Sequence, residues 1–191
     1  MSKELNAELV KAVRKGDIET VKRLLADGAI PNLTLSINGS EMNLIHIATV
    51  CGHLEVIEEL LAADVDIEVR DVRGMTPLNV AALYGHDKIA KLLITAGANK
   101  ESTEFSQGLR PIHFAAIRGN EEVLVELLES GADKNALDSL GVSPLLHAHV
   151  NGHTCIVKKL LDAGVDSADY DLFQNLFGDG IRDGKNHYPL I

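Results

Sequence analysis

The chain has 191 residues and a formal net charge of −10, with 46% hydrophobic residues, 4% aromatics and no Trp. That acidic balance argues against nucleic acid as partner, since phosphate binding needs a concentrated basic surface, and points instead to a protein of apolar or basic character. No apolar run reaches the length of a membrane span, the charged start from Met1 to Val10 is unlike a signal peptide, and Cys51 and Cys155 are the only cysteines, so the expected setting is reduced and cytoplasmic, with the nucleus or a host-cell cytosol as alternatives.

Turn residues recur at a fixed spacing. A Gly with small residues shortly before it stands at Gly16, Gly52, Gly85, Gly119 and Gly152, at separations of 36, 33, 34 and 33 residues. A second turn repeats at Gly28, Asp64, Gly97, Gly131 and Gly164 with the same differences. A period in this range means stacked supersecondary units, none of which buries its apolar face alone. The expected divisions are a capping unit over 1–32, repeats over 33–65, 66–98, 99–132 and 133–166, and a non-repeat end over 167–191.

The first unit lacks a Thr-Pro start and a preceding finger, as befits a terminal repeat whose outer face meets water. Its Lys11, Arg14 and Lys15 share one helix face. The second unit is the least regular. Asn43-Leu44 stands at its helix start, Asp64 at its second turn, and Leu33 to Met42 carry the extra residues of the long interval. The third unit, Asp71 to Asn99, is the clearest. Thr76 caps a first helix and Pro77 opens it, Leu78, Ala81 and Ala82 share a face, and Gly85 ends it. Ile89, Ala90, Leu93 and Ile94 then fall at the spacing of a second helix, which Gly97 ends. The polar connection to the next unit suits an extended hairpin finger.

The stretch TPLNVAALYGH from Thr76, with RPIHFAAIRGN from Arg110 and SPLLHAHVNGH from Ser143, resembles the ankyrin repeat. The resemblance covers about residues 5 to 166. It implies an all-α solenoid of L-shaped helix-loop-helix units joined by hairpin fingers, with fingers and first helices lining a concave face. It also implies a non-catalytic module that scaffolds, inhibits or targets another protein. Small ankyrin proteins of intracellular bacteria, exported into another cell, are similar in size. In the family, the His after the capping turn bonds turn backbone, which is the role implied for His46 and His113.

Two columns are expected on the concave side. Just before the turn Gly stand Val50 and Cys51, Leu83 and Tyr84, Ile117 and Arg118, Val150 and Asn151. Before each helix start stand Met42, Met75, Leu109 and Val142, and Val72 and Arg73 belong to the same finger as Met75. Together they predict an apolar strip for a partner, with Tyr84, Met75 and Arg118 as its strongest contacts. On this reading, truncating Met75 and Tyr84 weakens binding and spares stability. Some of these side chains, Val50 and Val142 first, instead extend the core. A groove for a peptide or lipid-like molecule, and self-association, are the rival uses of the strip.

Catalysis has little support. Ser143 beside His147 imitates part of a nucleophile-base pair, but Ser143 is the expected helix cap. His147, His149, His153 and Cys155 form the one cluster of metal-like composition, yet its histidines point to different helix faces, so no metal or other cofactor is expected. Glu55, Glu58, Glu59, Glu121, Glu122, Glu126 and Glu129 read as a solvated second-helix face. Leu172, Phe173, Leu176 and Phe177 predict a final helix that caps the stack or docks elsewhere. Asp179, Asp183 and Gly184 fit a calcium loop only in part, because Ile181 and Leu190 occupy positions that need oxygen ligands.

Overall fold

A computed structural model describes residues 2–37 and 40–177. The residues from Asp179 to Leu190, where calcium binding is not expected, lie outside the described part. Five helix pairs follow one another: α1 (Ser2–Lys15) and α2 (Ile18–Ala26), α3 (Leu44–Cys51) and α4 (Leu54–Ala62), α5 (Pro77–Tyr84) and α6 (Asp87–Thr95), α7 (Pro111–Arg118) and α8 (Glu121–Glu129), α9 (Pro144–Val150) and α10 (Thr154–Asp162). A last helix, α11 (Ala168–Phe177), packs on α9. First helices pack on first helices and second helices on second, giving two layers.

The helix starts follow the sequence chemistry. Thr76 Oγ1 accepts the Asn79 N–H while Asn79 Oδ1 accepts the Thr76 N–H at 3.0 Å, a reciprocal capping box. Ser143 Oγ accepts the Leu146 N–H at 3.2 Å. Asp64, where the other units have Gly, takes the same left-handed turn at φ 60°, a conformation Asp tolerates better than most side chains.

The irregular second finger is an antiparallel hairpin. Strand β1 (Thr34–Ile37) pairs with β2 (Ser40–Asn43) in the register Thr34 to Asn43 through Ile37 to Ser40. Asn38-Gly39, between the strands, lies outside the described residues. The pair is nonetheless the strongest short-range hairpin signal a sequence carries. Asn43 makes no side-chain cap bond, and its Nδ2 donates instead to Thr34 Oγ1 across the hairpin at 3.1 Å.

The core repeats in columns. Leu9, Ile45, Leu78, Ile112 and Leu145 are fully buried on the first helices, and Leu24, Leu60, Leu93, Leu127 and Leu160 on the second. Ala12, Ala48, Ala81, Ala115 and Ala148, also buried, keep the first helices thin enough to lie side by side.

Polar rungs recur along the stack, the first within the opening unit and the rest about one repeat apart. The backbone N–H groups of Ile30, Asp66, Asn99, Asp133 and Asp166 donate to the side chains of Asn6, Asn32, Glu68, Glu101 and Asn135 at 2.7 to 3.0 Å. Beside the turns, His53 Nε2 donates to Arg14 O, Asn120 Nδ2 to Ala82 O and His153 Nε2 to Ile117 O. These rings and amides cover the preceding turn Gly. A Cβ at Gly119, where φ is already +72°, would fall 2.6 Å from the His153 ring. The second helices add ion pairs, Lys22 to Glu59, Lys91 to Glu126 and Lys159 to Glu121. Being exposed, each is worth little alone.

The role implied for two histidines holds across units. His46 Nε2 donates to Met75 O at 2.9 Å and His113 Nε2 to Ala136 O at 3.0 Å, both rings fully buried. Asn79 takes the same place in the third unit, its Nδ2 donating to Ser102 O. Burial, then the neighbouring His147, pushes the His113 pKa down to about 4, and burial lowers that of His46. A His held neutral in the folded state contributes stability that is present above its unfolded pKa and fades as pH falls toward its folded value. Stability should therefore drop between pH 6.5 and about 4, with His113 contributing up to about 3 kcal/mol of the loss. Urea midpoints across that range should show the wild-type falling more steeply than His113→Asn, which borrows the Asn79 solution. Parallel slopes would deny His113 this role.

Candidate functional site

The fingers position the exposed residues through buried acids. Asp71 Oδ1 accepts the N–H groups of Arg73 and Met75 at 2.9 Å, and Asp138 Oδ1 those of Leu140 and Val142. Glu104 accepts the N–H groups of Ser106, Gln107 and Leu109. Burial alone would raise the Glu104 and Asp138 pKa values. The donated N–H bonds, joined at Asp138 by His147, outweigh it and hold both below the usual carboxylate range. Each acid folds its own finger into a tight loop. Neighbouring fingers are joined by backbone, Phe105 N–H to Arg73 O and Ser139 N–H to Gln107 O.

This geometry corrects the expected strip. Met75 and Leu109 are 2% and 6% exposed, and the N–H of each is held by the buried carboxylate four or five residues earlier, which folds the finger over them. Met42 and Val142 are half-buried, and Met42 packs on the core. Val50, Leu83, Ile117 and Val150 are half-buried on the first helices, the first three against the core. Tyr84, Arg118, Val72 and Arg73 are exposed. The exposed finger residues that sequence reasoning missed are Phe105 at 69%, Leu137 at 56% and Leu140 at 71%. Their signal was present: an acid followed by Gly a few places on, as in Asp71 to Gly74 and Asp138 to Gly141, marks the loop whose tip faces water.

Val72 and Phe105 flank a shallow cleft of about 260 Å³ between two fingertips, lined also by Arg73, Glu104 and Ser106. The Phe105 ring sits over Gly74, where a Cβ would fall 2.5 Å from it, and the Arg70 guanidinium lies 5.8 Å from the ring centroid. Arg70 also donates to Gly74 O and Thr103 O, which ties the two fingers together.

The residues considered for metal or catalysis are dispersed to other partners. His147 Nε2 donates to Asp138 Oδ2 at 2.9 Å, His153 serves Ile117, and His149 meets the Tyr170 ring of α11 edge-on at 5.0 Å. Cys155 is exposed. Among the described residues no three His, Cys, Asp or Glu side chains converge as a metal site would require. Ser143 is the helix cap described above. Among the same residues no helix is long and apolar enough to cross a membrane.

The family model described as ankyrin repeats (3 copies) matches residues 9–104 and 96–172. Among curated proteins, the chain is 34% identical over 91 residues to protein phosphatase 1 regulatory subunit 27 of Homo sapiens, covering 48% of this chain and 58% of that one. It is 35% identical over 98 residues to the probable E3 ubiquitin-protein ligase XBOS32 of Oryza sativa subsp. japonica, covering 51% of this chain and 19% of the ligase. It is 35% identical over 96 residues to the ARF GTPase-activating protein Git of Drosophila melanogaster, covering 50% and 13%. The chain thus spans less than two thirds of each relative.

The burial difference makes the two methionine and tyrosine truncations separable. Met75→Ala should cost about 2 to 4 kcal/mol in urea unfolding, whereas Tyr84→Ala, half exposed, should cost about 1 kcal/mol or less. Equal losses would return Met75 to the surface.

Proposed function

Because the chain belongs to the ankyrin-repeat family, we propose that it is a non-catalytic protein-interaction module whose fingers and first helices present a preorganised surface to a protein partner. Scaffolding, inhibition and targeting are the roles open to such a module, and the cytoplasm is its proposed setting. The observation that carries this reading is the exposure of the large apolar side chains Val72, Tyr84, Phe105 and Leu140 on the fingers and the first helices. Tyr84 ends helix α5, and the other three stand on loops already fixed by buried carboxylates and by backbone bonds between fingers.

Large apolar side chains held out on rigid loops are costly to leave in water and cheap to dock. Their backbone is ordered before the partner arrives, so little conformational entropy is lost on binding. A cleft of about 260 Å³ open to solvent falls below the size of ordinary small-molecule pockets, which favours a protein surface over a lipid-like ligand. The relative named as a regulatory subunit supports the same reading. The ligase and the GTPase-activating protein match over small fractions of their length, so their activities are not carried across.

A pull-down from cell lysate should compare the intact chain with a Tyr84→Glu, Phe105→Glu variant shown by circular dichroism to be folded. A protein retained by the intact chain and lost from the variant is the expected result. Equal retention by both would move the interface to the second-helix layer or to α11.

A further inference from the structure

The chain carries its charge unevenly between its two layers. Glu55, Glu58 and Glu59 lie on α4 and Glu121, Glu122, Glu126 and Glu129 on α8, both in the second-helix layer. Lysines of the neighbouring second helices pair with three of these seven. The layer of first helices and fingers is built the other way round. From the third finger to the fifth, the acids Asp71, Glu104 and Asp138 turn inward and are buried, their oxygens taken by backbone N–H groups. Nearer the finger bases, Glu101 and Asp133 are engaged by Arg110.

Three arginines on this side are exposed, two on the third finger and one at the end of α7. Arg73 keeps 56% of its side chain exposed even while its guanidinium meets Asp71 at 3.1 Å. Arg118 is exposed, one unit along from Tyr84 in the same column, and makes no ion pair among the described residues. Arg70 is exposed beside Phe105. A ligand approaching this side therefore meets guanidinium donors set among Val72, Tyr84, Phe105 and Leu140, and the nearby carboxylates are already satisfied.

Resting on the interaction surface argued above, we propose that its occupant is an extended acidic segment of a partner protein, with Asp or Glu side chains alternating with aromatic or aliphatic ones. Carboxylates suit the Arg118 guanidinium, which binds them with two parallel hydrogen bonds, while Arg73, whose Nε and Nη2 already donate to Asp71, adds positive charge beside it. The apolar side chains of the segment cover Tyr84 and the fingertip residues. A basic segment, which the whole-chain charge of −10 favours at long range, finds no unengaged carboxylate on these three fingers. Its attraction is directed to α4 and α8 on the other layer.

Two matched displayed libraries of short peptides test this on the full chain, one built from Asp and Glu with Phe, Tyr and Leu, the other with Lys in place of the acids. Acidic peptides should be enriched, and those selected should lose about tenfold or more in affinity on Arg118→Glu. Binding should also weaken as salt is raised. Arg118→Gln should give a smaller loss in the same direction, and Glu122→Lys on α8 should leave affinity unchanged. Circular dichroism of each variant separates a lost contact from a lost fold. Enrichment of Lys peptides whose binding fails on Tyr84→Ala would overturn the acidic occupant while leaving the interaction surface standing. Enrichment of peptides from either library that ignore Tyr84→Ala, or of none, would overturn the surface as well.

Discussion

Everything in this array depends on how closely one unit can lie on the next. A close approach recurs beside the first turn, where His53, His86, Asn120 and His153 each cover the preceding unit's Gly. Gly is required there twice over, by a left-handed backbone and by the absence of room for a Cβ. With that spacing set, the small Ala column lets the first helices pack, the Leu columns close the core, and the polar rungs between fingers fall within hydrogen-bond reach. His86 fills the same place as the others and stacks on Tyr84, although its Nε2 finds no partner among the described residues. Packing therefore sets the approach, and the hydrogen bond follows where a carbonyl is available.

The same spacing explains why the fingers are able to present a surface. A loop that carries exposed apolar residues must still satisfy its own backbone. Here buried acids do so from within, so the tips need no partner to be ordered. Their carboxylates are consumed in the process, which leaves Arg70 and Arg73 as exposed cations on the third finger. Structure and electrostatics on this side have one cause.

The repeat was legible because its signals are local. The turn glycines, the Thr76-Pro77 and Ser143-Pro144 starts and the apolar columns each act within a few residues of chain. Even Asp64 could be placed as a turn from spacing alone, and its backbone takes the left-handed conformation there. Finger exposure was harder to read. Met75 and Leu109 look like surface residues next to a helix start, and only the bond from the acid shows that they are drawn inward. The hairpin of the second finger was signalled by Asn38-Gly39 and passed over because the interval looked merely irregular. Asn32, Glu68, Glu101 and Asn135 carry no sequence sign of their role, since their partners are backbone groups about one repeat away. The pairing of His147 with Asp138 was hidden for a related reason: it joins a helix to the finger before it.

The central claim is that the units and fingers form one preordered stack before any partner binds. Hydrogen exchange at the amides of Asp66, Asn99, Asp133 and Asp166, followed by NMR on the free chain, tests it most directly. These N–H groups sit in exposed finger bases, yet each is bonded to the neighbouring unit, so they should exchange slowly, alongside the amides of helices α5 and α7. Exchange at the rate of an open loop, with the helices still protected, would contradict it and would make the fingers ordered only by what they bind.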